Sequence, residues 1–97
     1  MLFVISRTVF DRREFDIDIE LAEEGDGVIF IQDGVLIVKR VPEEITEIFE
    51  RAKQRNVKFY ALKEDLEARG VKPKEGFEVV DYDGFLDLIK KYDKAIN

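Results

Sequence analysis

The sequence predicts an α/β fold: a small Rossmann-like three-layer domain with a mostly parallel sheet between helices. Short apolar runs recur along the chain, at Met1 to Ser6 (MLFVIS), Val28 to Ile31 (VIFI), Val57 to Leu62 (VKFYAL) and Phe77 to Val80 (FEVV). Runs of this kind are what strands buried on both faces look like. Amphipathic segments of helical period separate them, and strands alternating with helices imply a parallel sheet joined by crossovers. The chain has 97 residues and no internal repeat, so one domain over residues 1–97 is expected. A domain of this size buries roughly two-thirds of the surface of its unfolded chain, enough for one core with little to spare.

Met1 to Ser6 is the first strand, and Arg7 to Glu14 is polar and loop-like. The next segment obeys two periods at once. Phe15, Ile17, Ile19 and Leu21 alternate with Asp16, Asp18 and Glu20 as in a strand, while Phe15, Ile19 and Ala22 fall at i, i+4 and i+7 as on a helix. A helix completes a β-α-β order and is the preferred reading, but periodicity alone leaves the strand open. Glu24-Gly25-Asp26-Gly27 breaks the chain before VIFI, which stops at Gln32-Asp33-Gly34. Val35 to Val38 (VLIV) is either a return strand across an Asp-Gly turn or a short buried turn of helix. A return strand would add an antiparallel pair to the sheet.

Pro42 to Arg55 carries the clearest helical pattern. Pro42 suits a first helical position, and Ile45, Ile48, Phe49 and Ala52 make one apolar stripe. Glu43 and Glu44 lie at the positive end of the helix dipole, Arg51, Lys53 and Arg55 at the negative end, and Glu47 can pair with Arg51 one turn on. After the third strand, Lys63 to Arg69 is a short helix that Gly70 ends in the left-handed conformation. Lys72 to Gly76 is a loop. Asp81 or Asp83 caps a last helix whose apolar face is Phe85, Leu88, Ile89 and Tyr92.

Composition removes whole classes of function. With no Cys there is no disulfide, thiolate nucleophile or thiolate metal site, and with no His the usual neutral-pH acid/base and commonest metal ligand are gone. No metal or cofactor is expected. The net charge of −6 makes direct nucleic-acid binding unexpected, because that affinity comes largely from Lys and Arg neutralising phosphates. No apolar run approaches the ~18 residues a membrane helix needs, and Leu2 to Ile5 is too short for a signal peptide. A cytoplasmic protein without membrane contact is expected. Charged residues reach 39%, while the amides are only Gln32, Gln54, Asn56 and Asn97, a balance resembling that of hyperthermophile proteins.

Candidate sites are few. Gly25-Asp26-Gly27 is not a dinucleotide fingerprint, since Phe30 stands where the third glycine belongs and the motif leads into a strand. Gln32-Asp33-Gly34 follows a buried strand, and ligands of open α/β sheets gather at such carboxyl ends. It can present Gln32 and Asp33 to a ligand or partner, or be a turn that uses Asp for local hydrogen bonds and Gly for positive φ. Arg69 has two readings as well, a cation favouring its helix dipole or a docking residue. Adjacent carboxylates, Glu64/Asp65 among them, are too abundant among 22 acids to mark a site by themselves. The only Ser is Ser6, in no nucleophile elbow, and no catalytic constellation is found.

Three segments carry a family resemblance: Val28-Ile29-Phe30-Ile31-Gln32-Asp33-Gly34-Val35, Tyr60 to Gly70 (YALKEDLEARG), and Val79 to Leu88 (VVDYDGFLDL). Together they resemble the DsrH/TusB family, in order and over nearly the whole chain. The resemblance implies a DsrE/F/H-like fold and a non-catalytic subunit of a sulfur-relay complex that passes persulfide sulfur, either in sulfur oxidation or toward 2-thiouridine at the tRNA wobble position. It implies DsrE/DsrF-like or TusD/TusC-like partner subunits, in a hetero-oligomer, with the sulfur-carrying cysteine on the DsrE/TusD-type subunit. Some DsrH-type members have a cysteine of their own; this chain has none, so it can position or stabilise but not carry sulfur. The middle helix within Val41 to Asn56 is also longer than the resemblance implies. A stand-alone homo-oligomeric binding module of the same fold is the alternative.

Overall fold

The apolar runs become strands because each of their residues has a hydrophobic layer on its own side of the sheet. A computed structural model describes residues 1–7, 15–92 and 94–96, and of 15–17 the backbone only. The strands are β1 (Leu2–Ile5), β2 (Gly27–Phe30), β3 (Lys58–Leu62), β4 (Glu78–Val80) and β5 (Ala95–Ile96). They form one five-stranded sheet in the order β4-β3-β2-β1-β5, every neighbouring pair parallel. The expected α/β class is therefore found, with a sheet that is wholly rather than mostly parallel. The helices are α1 (Phe15–Leu21), α2 (Leu36–Lys39), α3 (Glu43–Gln54), α4 (Lys63–Ala68) and α5 (Tyr82–Lys91).

Side chains alternate across the sheet, as the period of two requires. Phe3, Ile5, Val28, Phe30, Phe59 and Ala61 point to a front layer with Ile19, Ile37, Ile45, Phe49 and Leu66 from the helices. Leu2, Ile29 and Tyr60 point to a back layer with Leu88 of α5 and Tyr92, the residue that ends it. The front centres on aromatic rings: Phe49 and Phe59 stack at 4.6 Å between centroids, and Phe77 stands edge-on to Phe30 at 5.9 Å.

The doubly periodic segment is a helix. Arg55 stabilises its end, donating from Nε to the Ala22 carbonyl at 3.1 Å and from Nη2 to that of Ile19 at 2.9 Å. Both carbonyls lie at the helix terminus, where intrahelical N–H partners run out; that of Ile19 shares only the Ala22 N–H, at 3.3 Å. The Ile19 and Ala22 side chains are buried as the helical stripe requires. The polar stretch beyond Arg7 lies outside the described residues up to Glu14.

Val35 to Val38 is not a return strand. Gln32–Val35 is a turn of 3-10 helix that runs on into α2, so the chain coils at the end of β2 and buries Val35, Ile37 and Val38 in the front core. Two other expectations are corrected. Pro42 is the N-cap of α3, with helix from Glu43. Ile89 is 39% exposed and does not belong to the buried face of α5, which is Leu88 and Tyr92 with Phe85 packed beside them. β5 had no expected counterpart. The pairing of Glu47 with Arg51 is present at 3.3 Å, and Asp81 caps α5 by accepting from the Gly84 N–H at 2.8 Å.

Candidate functional site at the carboxyl edge of the sheet

In a parallel sheet all strands end on one edge, where the loops after β2, β3 and β4 meet. The chain leaves β2 through Ile31 and turns sharply at Gln32, whose φ of 50° is unusual for a residue with a side chain. The positive φ expected of Gly34 is thus carried by Gln32. Gly34 serves a different purpose: a Cβ there would lie 2.3 Å from the Ile5 carbonyl oxygen, so only glycine lets the turn pack against the end of β1. Two hydrogen bonds fix that approach, from the Ile31 N–H to the Ile5 carbonyl at 2.9 Å and from the Gly34 N–H to the Ile31 carbonyl at 2.8 Å.

Helix α4 starts directly at the end of β3, and its first turn braces the loops on both sides. Asp65 accepts the Gln32 N–H at 2.6 Å, holding the strained turn after β2. Glu64 accepts the Tyr82 N–H at 3.2 Å, holding the start of α5 after β4. At the other end of α4, Gly70 takes a φ of 64°. The Gly70 N–H reaches the Glu67 carbonyl at 3.2 Å and the Val71 N–H that of Leu66 at 2.9 Å, the paired bonds of a Schellman ending. That ending sets the position of Arg69.

Arg69 donates from Nε to Asp33 at 3.0 Å and from Nη1 to the Asp65 carbonyl oxygen at 3.4 Å. The structure therefore joins the residues singled out in the sequence: Gln32 and Asp33 sit opposite Arg69, with Gly34 behind them against β1. Arg69 thus meets a carbonyl of its own helix, as the dipole reading expects, and a carboxylate of the neighbouring loop. Asp33 remains 64% exposed while pairing, so the ion pair presents a charged face outward. Asp65, which contacts both Gln32 and Arg69, was passed over among the many acids. Its signal was its place in the first turn of a helix directly after a strand, one turn before Arg69.

The edge holds carboxylates, a guanidinium and backbone groups, with no thiol or imidazole in the chain. Among the described residues no group of acids is arranged to hold a metal ion, and no helix is long and apolar enough to cross a membrane. At the opposite edge, Gly25-Asp26-Gly27 is a turn into β2. There Asp26 accepts from the Met1 ammonium at 3.0 Å and from the Glu23 N–H at 2.9 Å. Burial raises the Asp26 carboxyl pKa, but these donors outweigh it and hold the group below the ordinary carboxylate range.

Fold and edge together define a small parallel-sheet α/β protein whose loops are braced by helix carboxylates. Protein Tm0979 of Thermotoga maritima shares this architecture with a TM-score of 0.64 and 26% identity, over 97% of each chain. A protein of unknown function from Methanobacterium thermoautotrophicum, MTH1491, shares the fold with a TM-score of 0.65 and 20% identity, over 98% of this chain and 95% of its own. In sequence, Protein TusB of Photorhabdus laumondii is 32% identical over 95% of this chain and 94% of its own length. Protein TusB of Salmonella enteritidis is 35% identical over 81% of each. The family described as DsrH like protein matches residues 7–95. The chain belongs to the DsrH family, the sulfur-relay family whose motifs its sequence carries.

Proposed function

We propose that this protein is a non-catalytic subunit of a persulfide-relay complex, serving 2-thiouridine formation at the tRNA wobble position. The observation that supports it best is the family match over residues 7–95 in a chain with no cysteine. A relay step moves sulfur between thiolates, so this subunit holds a sulfur-carrying neighbour in place instead of taking the sulfur itself. Its partners are DsrE/DsrF-like or TusD/TusC-like subunits, at least one bearing the cysteine this chain lacks. The braced carboxyl edge is the proposed docking surface, with Asp33 and Arg69 as its exposed charges and Gln32 and Gly34 setting its shape. The site of action is the cytoplasm.

Two measurements test this. Tagged protein purified from its own cells should bring down a small cysteine-bearing homologue in near-equal amount. Recovery of this chain alone through repeated gentle purifications would instead favour the homo-oligomeric module. Deletion of the gene should lower the 2-thiouridine content of wobble positions measured by nucleoside mass spectrometry, and unchanged thiolation would remove the tRNA assignment. Asp33→Lys should weaken capture of the homologue about tenfold, by placing like charge where an opposite one belongs.

A further inference from the structure

Three peptide bonds in this chain join Asp to Gly: Asp26–Gly27, Asp33–Gly34 and Asp83–Gly84. Such a bond rearranges more readily than others after Asp, because glycine leaves its amide nitrogen unshielded. The nitrogen attacks the carbon of the Asp side-chain carboxyl. A C–N bond forms, the carboxyl C–O bond breaks, and the hydroxyl leaves with the amide proton as water, closing a succinimide ring. Water then adds at one of the two ring carbonyls and breaks its bond to nitrogen. Opening at the β-carbonyl restores aspartate, whereas opening at the α-carbonyl leaves the chain running through the side chain as isoaspartate. No oxidation or reduction occurs, and the mass is unchanged.

The reaction needs a free glycine nitrogen and a carboxyl group at liberty to reach it. The structure withholds these differently at the three bonds. At Asp26 both carboxylate oxygens are held, by the Met1 ammonium and the Glu23 N–H, and the Gly27 N–H donates to the Met1 carbonyl at 3.0 Å. At Asp83 the Gly84 N–H donates to Asp81 at 2.8 Å inside a ten-residue helix. Asp33–Gly34 lies instead in a single turn of 3-10 helix, a form whose hydrogen bonds have poorer geometry than those of an α-helix. What keeps this turn closed comes from α4. Asp65 accepts the Gln32 N–H at 2.6 Å, and Arg69 Nε holds an Asp33 carboxylate oxygen at 3.0 Å. Asp33 is 64% exposed, so release of these two contacts leaves its carboxyl in water beside the glycine nitrogen.

We propose that Asp33–Gly34 is an isoaspartate-forming site at the carboxyl edge, held shut by Asp65 and Arg69 of the α4 segment. The product does not fit the native turn. It adds one carbon to the main chain just before Gly34, which packs so closely on β1 that a Cβ would stand 2.3 Å from the Ile5 carbonyl oxygen. Rearrangement therefore unseats the turn, and it leaves a free α-carboxylate of the kind a carboxyl-methylating repair enzyme recognises. None of this depends on a relay partner.

The test is prolonged warm incubation of the full-length chain at mildly acidic pH, which favours the reactive neutral carboxyl. Isoaspartate at each of the three bonds is then read by electron-transfer fragmentation of the peptides. Rearrangement proceeds from the opened turn, so its rate follows the fraction of molecules that are open. Arg69→Ala should raise the rate at Asp33 by up to about fivefold, as expected for loss of one exposed ion pair. Asp65→Ala should raise it by roughly tenfold or more, because a backbone N–H loses its charged acceptor. Rates at Asp26 and Asp83 should keep their wild-type values in both variants, which makes these two bonds internal clocks. Unchanged rates at Asp33 in both variants would overturn the proposal. So would a parallel rise at all three bonds, since global unfolding and not the α4 brace would then be the gate.

Discussion

The two faces of the sheet are built to different standards. In front, three helices and the coil after β2 close over a cluster of phenylalanines, and Phe30, Val35, Ile37 and Ala61 are fully buried. Behind, one ten-residue helix bears on Leu2, Ile29 and Tyr60, and its central contact is a hydrogen bond between two tyrosines, Tyr60 Oη to Tyr92 Oη at 3.3 Å. The front makes a layer that excludes water without outside help. The back stays partly open, with Val4, Ile31 and Val80 only partly buried, and places two hydroxyls in its core. Burial is concentrated in front, and the back face is the less completely covered of the two.

The contrast is easiest to break in front. Phe49→Ala removes the ring stacked on Phe59 and should cost about 3–5 kcal/mol in denaturant unfolding, enough to unfold much of a domain of ordinary stability. Leu88→Ala, the matching deletion behind, should cost about 2–3 kcal/mol, since Leu88 keeps 8% exposure and the layer around it can relax. Equal losses would mean that the two faces are equally well packed after all.

Gly27 sharpens the comparison. A Cβ there would lie 2.6 Å from the Tyr92 hydroxyl, so β2 has room for the tyrosine pair only because it begins with glycine. Gly27→Ala should destabilise by about 1–3 kcal/mol. Combining it with Tyr92→Phe, which deletes the clashing oxygen, should cost less than the sum of the single changes in a double-mutant cycle. Strict additivity would disconnect Gly27 from Tyr92.

Tyr60 gives a pH signature. Burial above all, then the bond to Tyr92 and the charge of Glu78, push its phenol well above the ordinary tyrosine value. A pKa raised by folding stabilises fully below the unfolded value of about 10, and that stabilisation is lost as pH climbs beyond it toward the folded value. Tyr60→Phe should cost about 1 kcal/mol at neutral pH and flatten the fall in melting temperature above pH ~10. An unchanged alkaline slope would show that other groups govern it. The smallest effect is expected at Arg69→Ala, below about 1 kcal/mol, because Asp33 is largely in water. Its consequence should appear in partner capture instead.

How far the sequence foretold this follows from which interactions are local. Long elements with a single period were legible: α3 with its stripe and its Glu47–Arg51 pair, and β2 and β3 as apolar runs. The segment around Ile19 fitted two periods, and what decides it is tertiary, the guanidinium of Arg55 on its terminal carbonyls. Val35 to Val38 read equally well as strand or helix because the deciding contact, Gly34 against Ile5, lies far away in the chain. β5 has two residues, too few to show any period. The members of the edge site were visible, but Asp65 was not separable from other acids until Gln32 and Arg69 were seen beside it. Ile89 matched the helical period and was assigned to the core; nothing in one helix tells which of two adjoining apolar stripes meets the sheet.

The strand order has a consequence for how the chain assembles and comes apart. From β1 to β4, each strand pairs with the one before it in sequence, so the sheet can grow by successive short closures. β5 alone must travel back past three strands to pair with β1, where Leu2 meets Ala95. Closing so long a loop for a two-residue seam earns little in return, which makes this seam the last to zip and the first to open. The Leu2 amide, donating to the Lys94 carbonyl at 2.7 Å, should exchange its hydrogen long before its buried neighbours between β1 and β2.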